Sequence, residues 1–191
     1  MINVGKWIQK WSIIQPEKCA VISDDVPCTY RELGRRINCL ANFLLARGLK
    51  KGDRVAVLLH NCRQYVEAFF AVSRIGGIIV PLNWRLAVPE LEFIIQDSGP
   101  RFIIFEEQFD ERGAEIRKRV SMDAEIACAP GERAGCKDLP EWAVDYDASL
   151  LEYPDSDPET PWTSGGEDPH MLMYTSGTTA YPKGAELSHR K

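Results

Sequence analysis

Ten residues, 175–184, carry the densest chemistry in the sequence: Thr175, Ser176, Gly177, Thr178, Thr179, Ala180, Tyr181, Pro182, Lys183 and Gly184. The first five are small, so their backbone N–H groups can face a shared concavity, and four of those five add a hydroxyl. Lys183 contributes a mobile positive charge, and Pro182 restricts the backbone just before it. Backbone donors, hydroxyls and one ammonium make a cradle suited to phosphate oxygens. The order is not that of a Walker A loop, in which Ser or Thr follows Lys, because here Gly184 follows Lys183. The chain also lacks G-x-G-x-x-G, which removes the usual argument for a dinucleotide fold. A polar surface turn would draw on the same residue types. What separates this segment from one is the ordered run ending in Pro-Lys-Gly, set directly after an apolar strand at Met171 to Tyr174.

Such a loop needs a rigid platform, and the preceding sequence reads as one. Arg54 to Leu59 is a short apolar run, as expected of a strand covered on both faces. Asn61 can cap the helix that follows, with Tyr65, Val66, Phe69 and Phe70 on its face and Gly76-Gly77 at its end. Ile78 to Leu82 reads as a strand, Pro89 to Asp97 as a helix, and Phe102 to Phe105 as a third strand. Strand and helix alternating at these lengths predict an α/β fold of βαβ units, a mostly parallel sheet with flanking helices and right-handed crossovers.

Upstream, Thr29 and Glu32 form a capping box before the apolar face Leu33, Ile37, Leu40 and Leu44, and Gly48 supplies the stop. Cys19 to Ser23 reads as a strand and Asp24-Asp25 as a turn. The segment from Val4 to Ile14 places Val4, Trp7, Ile8, Trp11 and Ile14 at helical spacing, which predicts a short helix docked on the core. Two lysines on its other side, Lys6 and Lys10, are too few for a membrane-surface helix. Glu106 to Arg119 reads as an exposed helix, followed by a short strand near Glu125 to Cys128. Glu152 to Asp168 is rich in Pro, Asp, Ser and Gly and reads as a surface loop.

Composition narrows the function classes. With 45% apolar and 27% charged residues the chain is an ordinary globular one, so disorder, collagen and coiled coil are poor explanations. The net charge of −5, without a basic cluster, argues against a nucleic-acid partner. No apolar run approaches the roughly 18 residues a transmembrane helix needs, since Arg74 breaks Phe69 to Leu82. Lys6 and Lys10 interrupt any signal-peptide core. A cytoplasmic location is therefore expected, with Cys19, Cys28, Cys39, Cys62, Cys128 and Cys136 as reduced thiols. None of them forms C-x-x-C or sits at short ligand spacing from His60, His170 or His189, so no metal site is expected from the protein side chains.

The segment YTSGTTAYPKG resembles the phosphate-binding signature of the adenylate-forming (AMP-binding) enzymes: acyl-CoA synthetases, luciferases and peptide-synthetase adenylation domains. Ala180 stands where the family usually has Gly. TYREL at Thr29 to Leu33, GLKKGDRVAVLLHN at Gly48 to Asn61 and GGIIVPLNWRL at Gly76 to Leu86 are similar to the family's N-terminal landmarks, in the usual order. The stretch from Glu106 to Gly166 matches nothing specific. The resemblance implies ATP-dependent activation of a carboxylic acid to an acyl-adenylate, followed by thioester formation, with ATP, Mg²⁺ and coenzyme A as cofactor and co-substrates. It implies that Thr175, Ser176, Gly177, Thr178, Thr179 and Lys183 hold the ATP phosphates. The family's adenine segment, magnesium-binding glutamate, ribose-binding aspartate and catalytic lysine would all lie beyond Lys191. The chain is accordingly expected to be an incomplete N-terminal part of a larger adenylate-forming fold. The expected division is an α/β subdomain at 1–151, a surface loop at 152–169, and a strand plus phosphate loop at 170–191. Such a piece would be inactive alone, and self-association through uncovered apolar surface would be possible.

VPLNWRL leans toward fatty-acyl or other acyl-CoA synthetases. An adenylation domain loading a carrier-protein thiol is a second reading, and a non-catalytic module binding a phosphate or a partner is a third. Among other residues, His189 is a candidate base or a structural residue, and Trp84 a candidate for lining an acyl pocket or for ordinary packing. The paired acids Glu106-Glu107 and Asp24-Asp25 read as solvated turns.

Overall fold

A computed structural model describes residues 3–119, 125–129, 139, 141–175 and 182–190. A single 3₁₀ turn at Val4–Lys6 leads into α1 (Trp7–Ile14). A hairpin of β1 (Cys19–Ser23) and β2 (Val26–Thr29) follows. Asp24 and Asp25 form its tip, both at positive φ, 52° and 61°, as a two-residue hairpin turn requires. The turn at Asp24-Asp25 is as expected, whereas β2 was not anticipated. Its Pro27 demotes the run to an edge strand, which it is.

The remaining strands form one sheet in the order β7-β6-β5-β3-β4-β8-β9. These are β3 (Arg54–Leu58), β4 (Ile78–Pro81), β5 (Phe102–Glu106), β6 (Glu125–Ala129), β7 (Val144–Asp145), β8 (Pro169–Thr175) and β9 (Lys183–Ser188). All neighbours pair in parallel except β8 with β9. The expected mostly parallel α/β sheet is present.

The helices are α2 (Tyr30–Ala46), α3 (Arg63–Arg74), α4 (Val88–Ser98), α5 (Asp110–Arg119) and α6 (Tyr146–Leu151). Strand β3 shows how the layers divide, since adjacent residues point to opposite faces. Val55 and Val57 pack with Ile37, Leu40 and Leu44 of α2 and Ala68 and Val72 of α3. Ala56 and Leu58 pack with Leu91, Ile94 and Ile95 of α4 and Ile116 of α5. All four β3 side chains are buried, which is why the run is apolar without alternation.

Helix α2 begins as expected. Thr29 accepts a hydrogen bond from the Glu32 N–H at 3.2 Å, and Glu32 accepts from the Thr29 N–H at 2.8 Å. Asn61 does not cap α3; that position is taken by Cys62, with no side-chain cap hydrogen bond. The N-terminal helix departs from expectation more sharply. Val4 and Ile8 are buried, but Trp7, Trp11, Ile13 and Ile14 are exposed. The amphipathic stripe is real, but only one edge of it finds the core.

Residues 152–168 are irregular, as read from the sequence, yet they are fastened along α2 and α3. Asn38 and Asn42 donate to the carbonyls of Asp155, Pro154 and Ser156. Trp162 Nε1 donates to the Ile75 carbonyl at 2.8 Å, and Lys51 Nζ to that of Thr163 at 2.9 Å. Arg74, which interrupts the apolar run in the sequence, pairs with Asp157 and donates to Asn38 Oδ1 at 2.7 Å.

Candidate phosphate-binding hairpin

Strand β8 enters the sheet beside β4, with Ile79 opposite Met171. Both strands run in the same direction, so the carboxyl ends of β3, β4, β5 and β8 share one edge, where open α/β sheets bind ligands. β8 continues to Thr175, and the chain returns as β9 from Lys183. Lys183 is therefore the first residue of a strand and not part of an extended loop. The sequence reading missed β9 because KGAELS is short, weakly apolar and exposed over its first four residues.

The register of this hairpin fixes the relation between the two described candidates. Thr175 lies directly opposite Lys183. Opposed residues of an antiparallel pair project from the same face, about 5 Å apart. The Thr175 and Lys183 side chains thus leave the backbone on the same face at the two points where the connecting segment leaves and re-enters the hairpin, and both residues are exposed. Ser176, Gly177, Thr178 and Thr179, with Ala180 and Tyr181, lie outside the described residues. The Cys136 thiol and the Cys128 side chain lie outside them as well.

The far end of the hairpin is held by two histidines. His170 and His189 are buried and stack with ring centroids 4.9 Å apart. His189 Nδ1 accepts from the Val4 N–H at 3.2 Å, and its Nε2 lies 3.0 Å from the Ser164 hydroxyl. Burial, reinforced by the neighbouring His170, lowers the His189 pKa to about 4. Burial lowers that of His170 too. His189 follows β9 in a turn, and it ties the N-terminal segment and the 152–168 strap to the hairpin. Its contacts are those of a structural fastener.

At the same sheet edge, Glu106 is 3% exposed, which corrects its reading as a solvated turn. Its carboxylate accepts from the His60 N–H at 2.9 Å, lies 3.0 Å from His60 Nδ1 and accepts from Gln108. His60 packs between Trp84 and Phe109, with centroids 4.5 and 5.0 Å away. The Arg85 guanidinium lies over the Trp84 ring, 4.7 Å from its centroid. Sequence reasoning missed this cluster because its members come from three separate strand ends. A polar residue directly after each apolar strand was the one signal available.

Residues 8–191 match the family described as AMP-binding enzyme. A fatty acid–[acyl-carrier-protein] ligase, ScoC, of Streptomyces coeruleorubidus is 37% identical over 176 residues, covering 92% of this chain and 31% of the relative. The long-chain-fatty-acid–CoA ligase FadD13 of Mycobacterium tuberculosis is 33% identical over 192 residues, covering 99% of this chain and 35% of the relative. Among solved structures, the anthranilate CoA ligase AuaEII in complex with anthranoyl-AMP superposes with a TM-score of 0.89 at 26% identity. That match covers 98% of this chain and 35% of the other. The chain spans about a third of the length of the curated relatives it matches.

Proposed function

Because the chain belongs to the AMP-binding enzyme family, we propose that it supplies the phosphate-holding part of an enzyme that activates a carboxylic acid with ATP. In the first step a substrate carboxylate oxygen attacks the α-phosphorus of ATP and pyrophosphate leaves, giving an acyl-adenylate. In the second, a thiol sulfur attacks the acyl carbonyl, loses its proton and displaces AMP.

The observation that carries this reading is the Thr175–Lys183 pair at the carboxyl edge of a parallel sheet. Pyrophosphate departure spreads negative charge over the β- and γ-phosphates, and a fixed ammonium beside hydroxyl and backbone donors neutralises it. Lys183 supplies the charge and Thr175 a hydroxyl, and the Ser176 to Thr179 run between them would supply further donors. Among the described residues, no group of three His, Cys, Asp or Glu side chains is placed to hold a metal ion. A magnesium ion arriving with ATP would here be held by phosphate oxygens and a threonine hydroxyl, the hard oxygen ligands it prefers.

Coenzyme A is the proposed acceptor, with a fatty or other acyl acid as substrate. FadD13 is named a CoA ligase, whereas ScoC is named a ligase of an acyl-carrier protein. A carrier-protein thiol is therefore the second reading. The described helices include none long and apolar enough to cross a membrane.

The test is carboxylate-dependent ATP–pyrophosphate exchange by the native gene product, against a panel of fatty and aromatic acids. Exchange with one class of acid supports acid activation, and subsequent thioester formation with coenzyme A but not with a carrier protein supports the acceptor. No exchange with any acid would contradict the reading.

A further inference from the structure

At the end of the hairpin nearest the phosphate segment, a hydrogen bond fastens β8 to a helix. Tyr174 directly precedes Thr175, and its hydroxyl donates to Asp97 Oδ2 at 2.5 Å. The ring reaches Asp97 by lying across β9. Tyr174 is paired with Gly184, where an added Cβ would come within 3.2 Å of Tyr174 Cζ and 3.0 Å of Leu172 Cδ1. A side chain there would crowd the ring. Asp97 is the penultimate residue of α4, a helix fixed to the sheet by the buried Leu91, Ile94 and Ile95. A hydrogen bond to a carboxylate is stronger and more directional than one between neutral groups. Burial, with Asp97 next in effect, raises the Tyr174 pKa well above the ordinary phenol value, so the hydroxyl remains a donor.

β8 pairs with β4 at Met171, and residues 172 to 175 run on beyond that pair. Tyr174 and Asp97 thus supply a further attachment for the strand end next to Thr175, beside its pairing with β9. We infer that Asp97 is a positioning residue for the phosphate segment, acting through Tyr174 to fix where Thr175 and Lys183 stand relative to the sheet edge. This rests on the phosphate reading of that segment. Small displacements of a binding constellation cost much of its affinity, so a post outside the site can govern it.

The experiment is titration of the 191-residue chain with MgATP, followed by the amide NMR signals of Thr175 and Lys183. The variants are Tyr174→Phe, Asp97→Ala, their double mutant, Asp97→Asn and Lys183→Ala. Urea midpoints are measured for each. Tyr174→Phe and Asp97→Ala should each weaken MgATP binding roughly three- to tenfold, the reach of one hydrogen bond. The double mutant should be no weaker than either, and Asp97→Asn, which keeps an acceptor, should recover most of the affinity. Lowered urea midpoints with MgATP affinity unchanged would overturn the inference and leave the phosphate reading standing. Equal affinity of wild type and Lys183→Ala would overturn the phosphate reading, and the inference with it.

Discussion

The Val4 N–H donates to His189 Nδ1 at 3.2 Å, joining two residues 185 positions apart. To accept that bond, Nδ1 must be unprotonated, and Nε2 then carries the hydrogen facing Ser164. Protonation would put a second hydrogen against the Val4 N–H. With a folded pKa near 4 against the ordinary 6.5, the unfolded chain binds a proton that the folded chain refuses. Stability is therefore fully present above pH 6.5 and falls as pH drops toward 4, by about 3 kcal/mol from His189. His170, also lowered, acts in the same direction. Urea unfolding at pH 7 and pH 5 should show the loss. In His189→Asn, which keeps an acceptor for Val4, the pH profile should be flatter. An unchanged slope in the variant would assign the acid sensitivity elsewhere.

Gly5 sits against the backbone of α3. A Cβ there would lie 2.3 Å from Arg74 N and 2.4 Å from Arg74 Cα, and backbone cannot yield as a side-chain tip can. Gly5→Ala should push the N-terminal turn off α3 and cost about 1–3 kcal/mol. A urea midpoint equal to wild type would show that the turn docks less closely than described.

The Arg74 guanidinium is 3% exposed, while its partner Asp157 is 63% exposed. Removing the acid leaves a buried cation with Asn38 as its side-chain partner among the described residues. Asp157→Ala should therefore destabilise by about 1–3 kcal/mol, below the value for a wholly buried pair because solvent reaches the vacated position. The strap at 152–168 should become cleavable by a protease under native conditions. Resistance equal to wild type would mean that the Trp162 and Asn42 contacts hold it without the ion pair.

Glu67 is wholly buried and accepts from Arg36 and from the Tyr146 hydroxyl at 2.9 Å, tying α2, α3 and α6 together. Glu67→Ala should cost about 3–5 kcal/mol, as breaking a buried ion pair does. Tyr146→Phe, which removes one neutral donor, should cost about 1 kcal/mol. Equal costs would refute the central place given to the carboxylate.

The parts legible in the sequence were those whose causes are local. The Thr29–Glu32 cap spans four residues, and the apolar runs of β3 and β5 follow from being covered on both faces. The segment from Thr175 to Gly184 stood out by its residue types and order, and holding phosphate is the role proposed for it. What escaped reading depends on distant partners. β9 exists by pairing with β8, and its own six residues carry little apolar pattern. Glu106 is buried because His60, 46 residues away, donates to it. For α1, the stripe of Trp7, Ile8 and Trp11 gives an apolar face but not the partner that would cover it, and of the three Ile8 is the one that is buried.

The claim on which the rest depends is that Thr175 and Lys183 hold ATP phosphates. Titrating the 191-residue chain with MgATP, with the Lys183 and Thr175 amides as reporters, tests it most directly. Weak saturable binding that shifts both signals and is lost in Lys183→Ala is the predicted result. Binding that leaves both amides unmoved, or that survives Lys183→Ala undiminished, would contradict it.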